Sequence, residues 1–373
     1  MAKKVLITGI NGFIGKNLSA VLEKMDGFEV DGFRRNDPVT NLSGKIRSSD
    51  VIVHLAGANR PKITEDFYSD NVDFTRFLVD EIIKTKKPLK IIFSSSTQAL
   101  NENDYGKSKL QAENMIVSAA KGNNVQAFIY RLPNVFGKWG RPNYNSVVAT
   151  FCYNVSREIP FEIHNPDKEM TLVYIDDVIR SFIADINKKF QPEIDFPNVP
   201  SPHEISVAEL AEKIRKFHSM RKSLLSPDVS ITFVKNLYST YVSYLDTTDF
   251  AYSLPLKKDD RGDLFELIKN EKFGQIFISH TKPGITRGNH FHHAKVEKFC
   301  VVRGEAVIRF RKAGEEGVIE YKVSGEAPTV VDIPPGYTHN ITNTGNSEMI
   351  TLFWANEIFN PDKPDTFFDA VEP

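Results

Sequence analysis

Short, uninterrupted apolar runs alternate with stretches of helical periodicity through the first half of the chain. The runs fall at 4–8 (Lys-Val-Leu-Ile-Thr), 28–33, 51–55, 89–95 and 126–131. Between them, 14–25, 66–85 and 104–121 repeat apolar residues at the three-to-four spacing that gives a helix one apolar face. Strands alternating with amphipathic helices predict a Rossmann-type α/β fold, a doubly wound parallel sheet. A further helical pattern at 206–219 follows a Pro-rich segment from Pro192 to Pro202 and is expected to close this domain as a small substrate-side subdomain.

From about residue 255 the rhythm changes. Gly and Pro punctuate short alternating segments such as 275–280, 298–303 and 306–311, with no long helical pattern. That predicts an all-β barrel or jelly roll. The polar, Tyr-rich stretch 238–249 reads as the linker, giving domains at 1–245 and 250–373. A chain of 373 residues is long enough for two such cores. Composition alters this picture little: 41% hydrophobic, 25% charged and a formal net charge of −1 give no general attraction to nucleic acid or to an anionic membrane. Only Cys152 and Cys300 are present, so neither a disulfide framework nor a four-thiolate zinc site is expected. The first apolar run is too short for a signal segment and no stretch reaches a membrane span, which makes a cytoplasmic protein the expectation.

The first strand ends in Gly9-Ile10-Asn11-Gly12-Phe13-Ile14-Gly15, which turns into a helix near Phe13. Gly9 permits a tight turn, Gly12 lets the backbone approach a pyrophosphate, and Gly15 allows close helix–strand packing. The unpaired N–H groups of the helix start, around Phe13 and Ile14, then face the phosphates. At the end of the second strand an NAD enzyme would place an acid; here Arg34 and Arg35 suit the 2′-phosphate of NADPH.

Tyr105 and Lys109 lie one helical turn apart, just after the strand-end run Phe93-Ser94-Ser95-Ser96, where α/β sheets bind ligands. A nearby ammonium is expected to lower the phenol pKa, and Tyr105 would donate a proton to a carbonyl oxygen as hydride reaches its carbon. Ser96 would hydrogen-bond the same oxygen, with Ser94, Ser95 and Thr97 as alternatives. These residues resemble the extended short-chain dehydrogenase/reductases, particularly members acting on nucleotide-sugars. Supporting matches are His54-Leu55-Ala56-Gly57, Arg131-Leu132-Pro133-Asn134-Val135-Phe136-Gly137 and Tyr174-Ile175-Asp176-Asp177-Val178. The resemblance implies cofactor contacts at Leu55, Ala56, Gly57 and Arg131 and a substrate contact at Asn134. The short spacing from Ser96 to Tyr105 departs from the family, which usually carries a longer loop there.

Near the other end, Gly284, His290, His292, Glu297 and Gly304 match the first cupin motif in every spacing, and Pro334-Pro335-Gly336, His339 and Asn343 match the second, although its leading glycine, Gly325, comes earlier than usual. Alternation places His290 and His292 on one strand face, with Glu297 and His339 arriving from neighbouring strands. This three-nitrogen, one-oxygen set suits a divalent cation, Zn²⁺ foremost, with Fe²⁺, Mn²⁺ and Ni²⁺ as alternatives. His293 should point outward. Upstream, Asp259 to Glu266 resembles the Arg-Gly strand of deoxysugar 3,5-epimerases, which implies Arg261 and Glu266 as substrate contacts. Candidates for proton transfer are His280, Tyr337 and Lys298.

With both halves in this order, the whole chain resembles the bifunctional capsular-polysaccharide enzymes of the UDP-N-acetyl-L-fucosamine pathway. The resemblance implies that the cupin half epimerises C-3 of a UDP-4-keto-6-deoxy-N-acetylhexosamine and the reductase half then reduces the C-4 ketone with NADPH. Asn143 and Asn145 are expected to hold the UDP-sugar, and a homodimer is expected by analogy. The alternative is a single-function reductase whose cupin only dimerises it.

Overall fold

The computed structural model describes residues 2–60 and 63–372. The chain forms two compact units, residues up to 215 with 236–246, and residues 216–235 with 247 onward.

β1 (Lys3–Thr8), α1 (Phe13–Leu22), β2 (Phe28–Phe33), α2 (Thr40–Ser48) and β3 (Val51–His54) come first. α3 (Glu65–Phe67) passes through a π-helical turn, Tyr68–Asp73, into α4 (Phe74–Thr85). β4 (Leu89–Ser96), a 3₁₀ turn at Thr97–Leu100, α5 (Asp104–Ala120), β5 (Val125–Leu132), β6 (Asn134–Phe136) and α6 (Val147–Ser156) follow. Next are β7 (Glu169–Tyr174), α7 (Ile175–Asn187), β8 (Ile194–Asp195), β9 (His203–Ser206), α8 (Val207–Ser223) and α9 (Thr232–Val242). The main sheet is parallel, in the order β2-β1-β3-β4-β5-β8. All five apolar runs became its strands. β8 escaped the sequence reading because two residues carry no period.

Both faces of this sheet are covered, which is why its strands do not alternate apolar with polar. Leu6, Ile52, Ile91 and Phe93 pack beneath α2, α4 and α5 with Leu42, Leu78 and Ile116. Their strand neighbours Val5, Ile7, Val53 and Ile92 pack on the other face with Leu18 of α1 and Val178 and Phe182 of α7.

The Tyr-rich stretch is not a free linker. Residues 238–242 belong to α9, and Tyr244 is anchored: its hydroxyl donates to the Gly140 carbonyl at 2.7 Å and its own carbonyl accepts from Arg157 at 2.7 Å. Sequence analysis also placed 216–235 in the first domain, whereas it groups with the second unit. Backbone bonds explain this, from Ser226 N–H to the Lys269 carbonyl and from Lys269 N–H to the Leu224 carbonyl, both 2.7 Å.

The second unit holds β10 (Lys257–Asp259), β11 (Gly262–Asn270), β12 (Gly274–Thr281), β13 (Thr286–Phe291), β14 (Glu297–Arg303) and β15 (Glu305–Lys312). It continues with β16 (Val318–Ser324), β17 (Val330–Ile333), β18 (Tyr337–Asn343), β19 (Met349–Ala355) and β20 (Phe367–Phe368). Two antiparallel sheets result, β10-β11-β12-β19-β14-β17 and β16-β15-β18-β13-β20. Their inner faces enclose a core of Phe299, Val301, Ile308, Phe310, Ile341 and Phe353. Among the described residues no helix is long and apolar enough to cross a membrane.

Candidate functional sites

In the first unit a cleft of about 720 Å³ opens along the carboxyl ends of β1 and β4. Gly9, Gly12, Phe13, Ile14 and Gly15 line it with Leu55, Gly57, Ser96, Tyr105, Lys109, Asn134 and Asn145. The turn leaves no room for side chains: a Cβ on Gly15 would lie 2.4 Å from the Gly9 carbonyl oxygen, and one on Gly9, at φ +71°, 2.8 Å from the Ala56 nitrogen. Ala56 thus abuts the turn from β3. Buried His54 fixes that approach, with Nδ1 2.8 Å from the Thr8 hydroxyl and Nε2 2.9 Å from that of Thr75. Burial drops its pKa to about 3, so the imidazole is neutral and structural. A backbone cradle that any Cβ would fill fits a dinucleotide pyrophosphate.

The catalytic candidates meet despite the short loop. The 3₁₀ turn begins immediately after Ser96, whose hydroxyl caps it by accepting from Gln98 N–H at 3.2 Å. The Asn103 side chain caps α5, and Gly106 lets that helix press against the turn, since a Cβ there would lie 2.2 Å from the Gln98 carbonyl oxygen. The Tyr105 phenol consequently shares a hydrogen bond with Ser96. Among the alternatives, Ser95 is committed to Glu113, donating at 2.5 Å.

The Tyr105 phenol is not lowered as expected. Burial pushes the phenol up, the Ser96 hydrogen bond opposes, and Tyr144 adds a smaller upward push. The Lys109 ammonium instead donates to the Ser94 carbonyl at 3.0 Å, and burial brings its pKa down to about 8. A phenol held protonated suits a proton donor.

Several expected contacts lie elsewhere. Arg131 is committed to Glu113, donating from Nη2 at 2.7 Å and from Nε at 3.1 and 3.2 Å, so it does not line the cleft. It borders a second cavity of about 640 Å³, which shares Thr97, Gln98, Leu132, Pro133 and Asn134 with the first. Asn143 also stays out of the cleft: it takes a left-handed turn (φ +53°) and donates its N–H to Thr150. Arg34 and Arg35 follow the end of β2 but are exposed, and Arg35 pairs with Asp70 at 2.6 Å. Sequence analysis missed Trp139, Arg141 and Tyr144, which line the cleft. Trp139 stands at φ +70°, a strained conformation for a bulky residue.

In the second unit His290, His292, Glu297 and His339 place their ligand atoms within 4.8 Å of one another. A bulge between Gly288 and His290 sets His290 opposite His339 on β18. Glu297 comes from the other sheet, not from a strand beside His339, so the cluster joins the two sheets. The His292 Nδ1–H donates to the Asp365 carbonyl at 2.5 Å and that of His339 to the Tyr337 carbonyl at 3.1 Å. Both Nε2 atoms are buried without a hydrogen-bond partner, and they lie 3.3 and 3.6 Å from the Glu297 carboxylate. Burial lowers His290 to about 4, while the two imidazoles and Lys295 hold Glu297 ionised against its burial. Orphaned imidazole nitrogens beside an ionised carboxylate fit a divalent cation. His293 is exposed, as expected.

The remaining candidates are differently engaged. Arg261 pairs with Asp259 at 2.5 Å, and Glu266 with Lys257 and Lys269 at 3.2 and 2.9 Å. His280 pairs with Asp263 at 2.8 Å, and its neighbours Ser279 and Thr281 take the buried positions of β12. Lys298, next to inward-facing Glu297, is exposed and paired with Asp332. Tyr337 packs on the core two residues before His339.

Two family models match the chain. Residues 5–195 match the NAD dependent epimerase/dehydratase family and 257–367 the polysaccharide biosynthesis C-terminal domain. The chain is 43% identical over 368 residues to the UDP-2-acetamido-2,6-beta-L-arabino-hexul-4-ose reductase of Pseudomonas aeruginosa, covering 99% of each. It superimposes on the capsular polysaccharide assembling protein CapF from Staphylococcus aureus with a TM-score of 0.92 at 43% identity, covering 98% of this chain and 100% of that one. A UDP-glucuronic acid 4-epimerase of Bacillus cereus, at 20% identity and a TM-score of 0.54 over 65% of this chain and 98% of that one, shares the fold. The resemblance to capsular-polysaccharide enzymes is thereby borne out, and the chain belongs to the NAD dependent epimerase/dehydratase family, extended by a polysaccharide biosynthesis C-terminal domain.

Proposed function

We propose that this protein is a nucleotide-sugar reductase of capsular polysaccharide synthesis, and that its β-sheet unit first epimerises C-3 of the same UDP-4-keto-6-deoxy-N-acetylhexosamine. One observation carries the reduction: a protonated Tyr105, hydrogen-bonded to Ser96 above the buried Lys109 ammonium, faces the same cleft as the glycine cradle. A reduced nicotinamide, when bound, supplies the hydride. Ser96 and Tyr105 orient the C-4 carbonyl oxygen; as hydride adds to C-4, the C=O π pair takes the Tyr105 proton, and the alkoxide becomes a hydroxyl. The resulting phenolate is stabilised by the Lys109 charge. Asn134 and Asn145 line the side of the cleft where the UDP-sugar would rest, with Asn134 extending into the adjoining cavity.

Epimerisation has to come first, because the C-3 hydrogen is acidic only while C-4 is a ketone. His290, His292, Glu297 and His339 would hold the divalent cation, Zn²⁺ foremost, which supplies either Lewis acidity or a tie between the sheets. Among the three proton-transfer candidates, Tyr337 is favoured by its place beside His339. The protein is proposed to act as a homodimer, by analogy with its family, in the cytoplasm.

The test is incubation of the enzyme with the 4-keto substrate in D₂O without NADPH. One deuterium at C-3, read by NMR, is the expected result. An unlabelled C-3 would reduce the protein to a reductase with an accessory β-sheet unit.

NADPH is proposed over NADH because two guanidinium groups follow β2. The double variant Arg34→Ala/Arg35→Ala is expected to lower the NADPH-to-NADH ratio of kcat/KM by about tenfold, each tenfold being about 1.4 kcal/mol of lost discrimination. An unchanged ratio would remove these arginines from cofactor selection.

A further inference from the structure

Glu113 sits one helical turn beyond Lys109 on α5, so that Tyr105, Lys109 and Glu113 share a face. It is buried, yet none of the steps above uses it. Its carboxylate accepts from Ser95 at the end of β4 and from Arg131 on β5 in a three-contact clamp, tying three elements together directly behind the catalytic residues. Stability alone does not explain such a pair. Burying two charges costs about as much as their attraction returns, and apolar replacements of equal volume are often neutral or stabilising.

The surroundings of Lys109 give the pair a role. On β4 it meets the Ser94 carbonyl at 3.0 Å and the Phe93 ring at 5.0 Å. It also lies close to Gly57, which abuts Asn71 of the π-helical turn. His54 on β3 is neutral and supplies no charge. Arg131 on β5 is neutralised by Glu113 itself. Tyr105, one turn earlier on α5, is protonated. Glu113 is therefore the anion available to hold a buried ammonium charged in an apolar setting.

We propose that Glu113, clamped by Ser95 and Arg131, is a positioning residue for the reduction: its carboxylate keeps Lys109 charged and in place, so that the phenolate left on Tyr105 is stabilised. The proposal rests on the reductase reading. The opposing influences are consistent with it, since burial brings Lys109 down to about 8 and Glu113 acts in the upward direction. Activity falls as pH rises through the Lys109 pKa, because the neutral amine no longer supports the phenolate.

Glu113→Gln keeps the shape and most of the hydrogen bonds but removes the charge. The alkaline limb of kcat/KM for NADPH-dependent ketone reduction is expected to move down by about one pH unit, at the low end of the effect of one nearby charge. Near pH 8 that is about a fivefold loss, with less than about twofold near pH 6. Glu113→Asp, which retains the charge, should restore the limb. If Glu113→Gln strands Arg131 and fails to fold, Glu113→Gln/Arg131→Met removes both charges and should move the limb in the same direction by a smaller amount. An unmoved limb in a folded variant, or an equal loss at every pH, overturns the proposal. Absence of reduction by the unmodified enzyme would instead overturn the reductase reading.

Discussion

An enzyme carrying Tyr105→Phe is expected to lose ketone reduction by a factor of about 10²–10⁴, the usual worth of a positioned general acid. It should still exchange the C-3 hydrogen of the substrate with solvent. The ring packs against Phe67 at 5.7 Å, and that contact survives loss of the hydroxyl. Thermal stability and cofactor affinity should therefore change little, which isolates the chemical effect. Decay of the reduced-nicotinamide absorbance follows the first reaction and NMR in D₂O the second. Undiminished oxidation would place the acid elsewhere. Loss of both activities would show that reduction and epimerisation do not reside in separate units.

Removal of the proposed cation from the second unit should have the other large effect. His292 and His339 present buried nitrogens with no protein donor, and Glu297 is an ionised carboxylate between two sheets. Without a cation these nitrogens remain buried and unpaired, which costs stability. A site filled at a thousandfold excess over Kd contributes about 4 kcal/mol to the folded state. For a unit of this size, chelation should lower the unfolding temperature by roughly 10 °C, and a divalent cation should restore it. Elemental analysis is expected to find one equivalent per chain, falling below a tenth in His339→Ala, as loss of a ligand weakens binding beyond the roughly 10–100-fold cost of losing an outer partner. A chain that melts identically with and without chelator, and carries no stoichiometric metal, would exclude the assignment.

Much of this was legible beforehand wherever the chemistry is local. The Gly9–Gly15 turn is a backbone requirement, and the close approaches at Gly9 and Gly15 need glycine whatever the rest of the fold does. The pairing of His290 with His292 follows from strand alternation, although a bulge supplies their final aim. Ser96 could not be separated from its neighbours, because four consecutive hydroxyl residues differ only in where the strand and the following 3₁₀ turn point them. Long side chains misled most. Arg131, Arg261 and Glu266 have the right chemistry for ligands, but each found a nearer partner of opposite charge. Which partner a flexible charged group meets depends on elements distant in sequence.

The sequence alone determined the two kinds of core, the parallel order implied by two-sided apolar strands, the glycine cradle and the four metal-ligand candidates, because periodicity and spacing act over a few residues. Tertiary structure alone decided that Glu297 reaches its histidines across two sheets, that residues 216–235 join the second unit, and that Glu113 and Arg131 close behind Lys109. Those outcomes depend on burial and on contacts between segments far apart along the chain, where desolvation and charge pairing select among partners that no local pattern ranks.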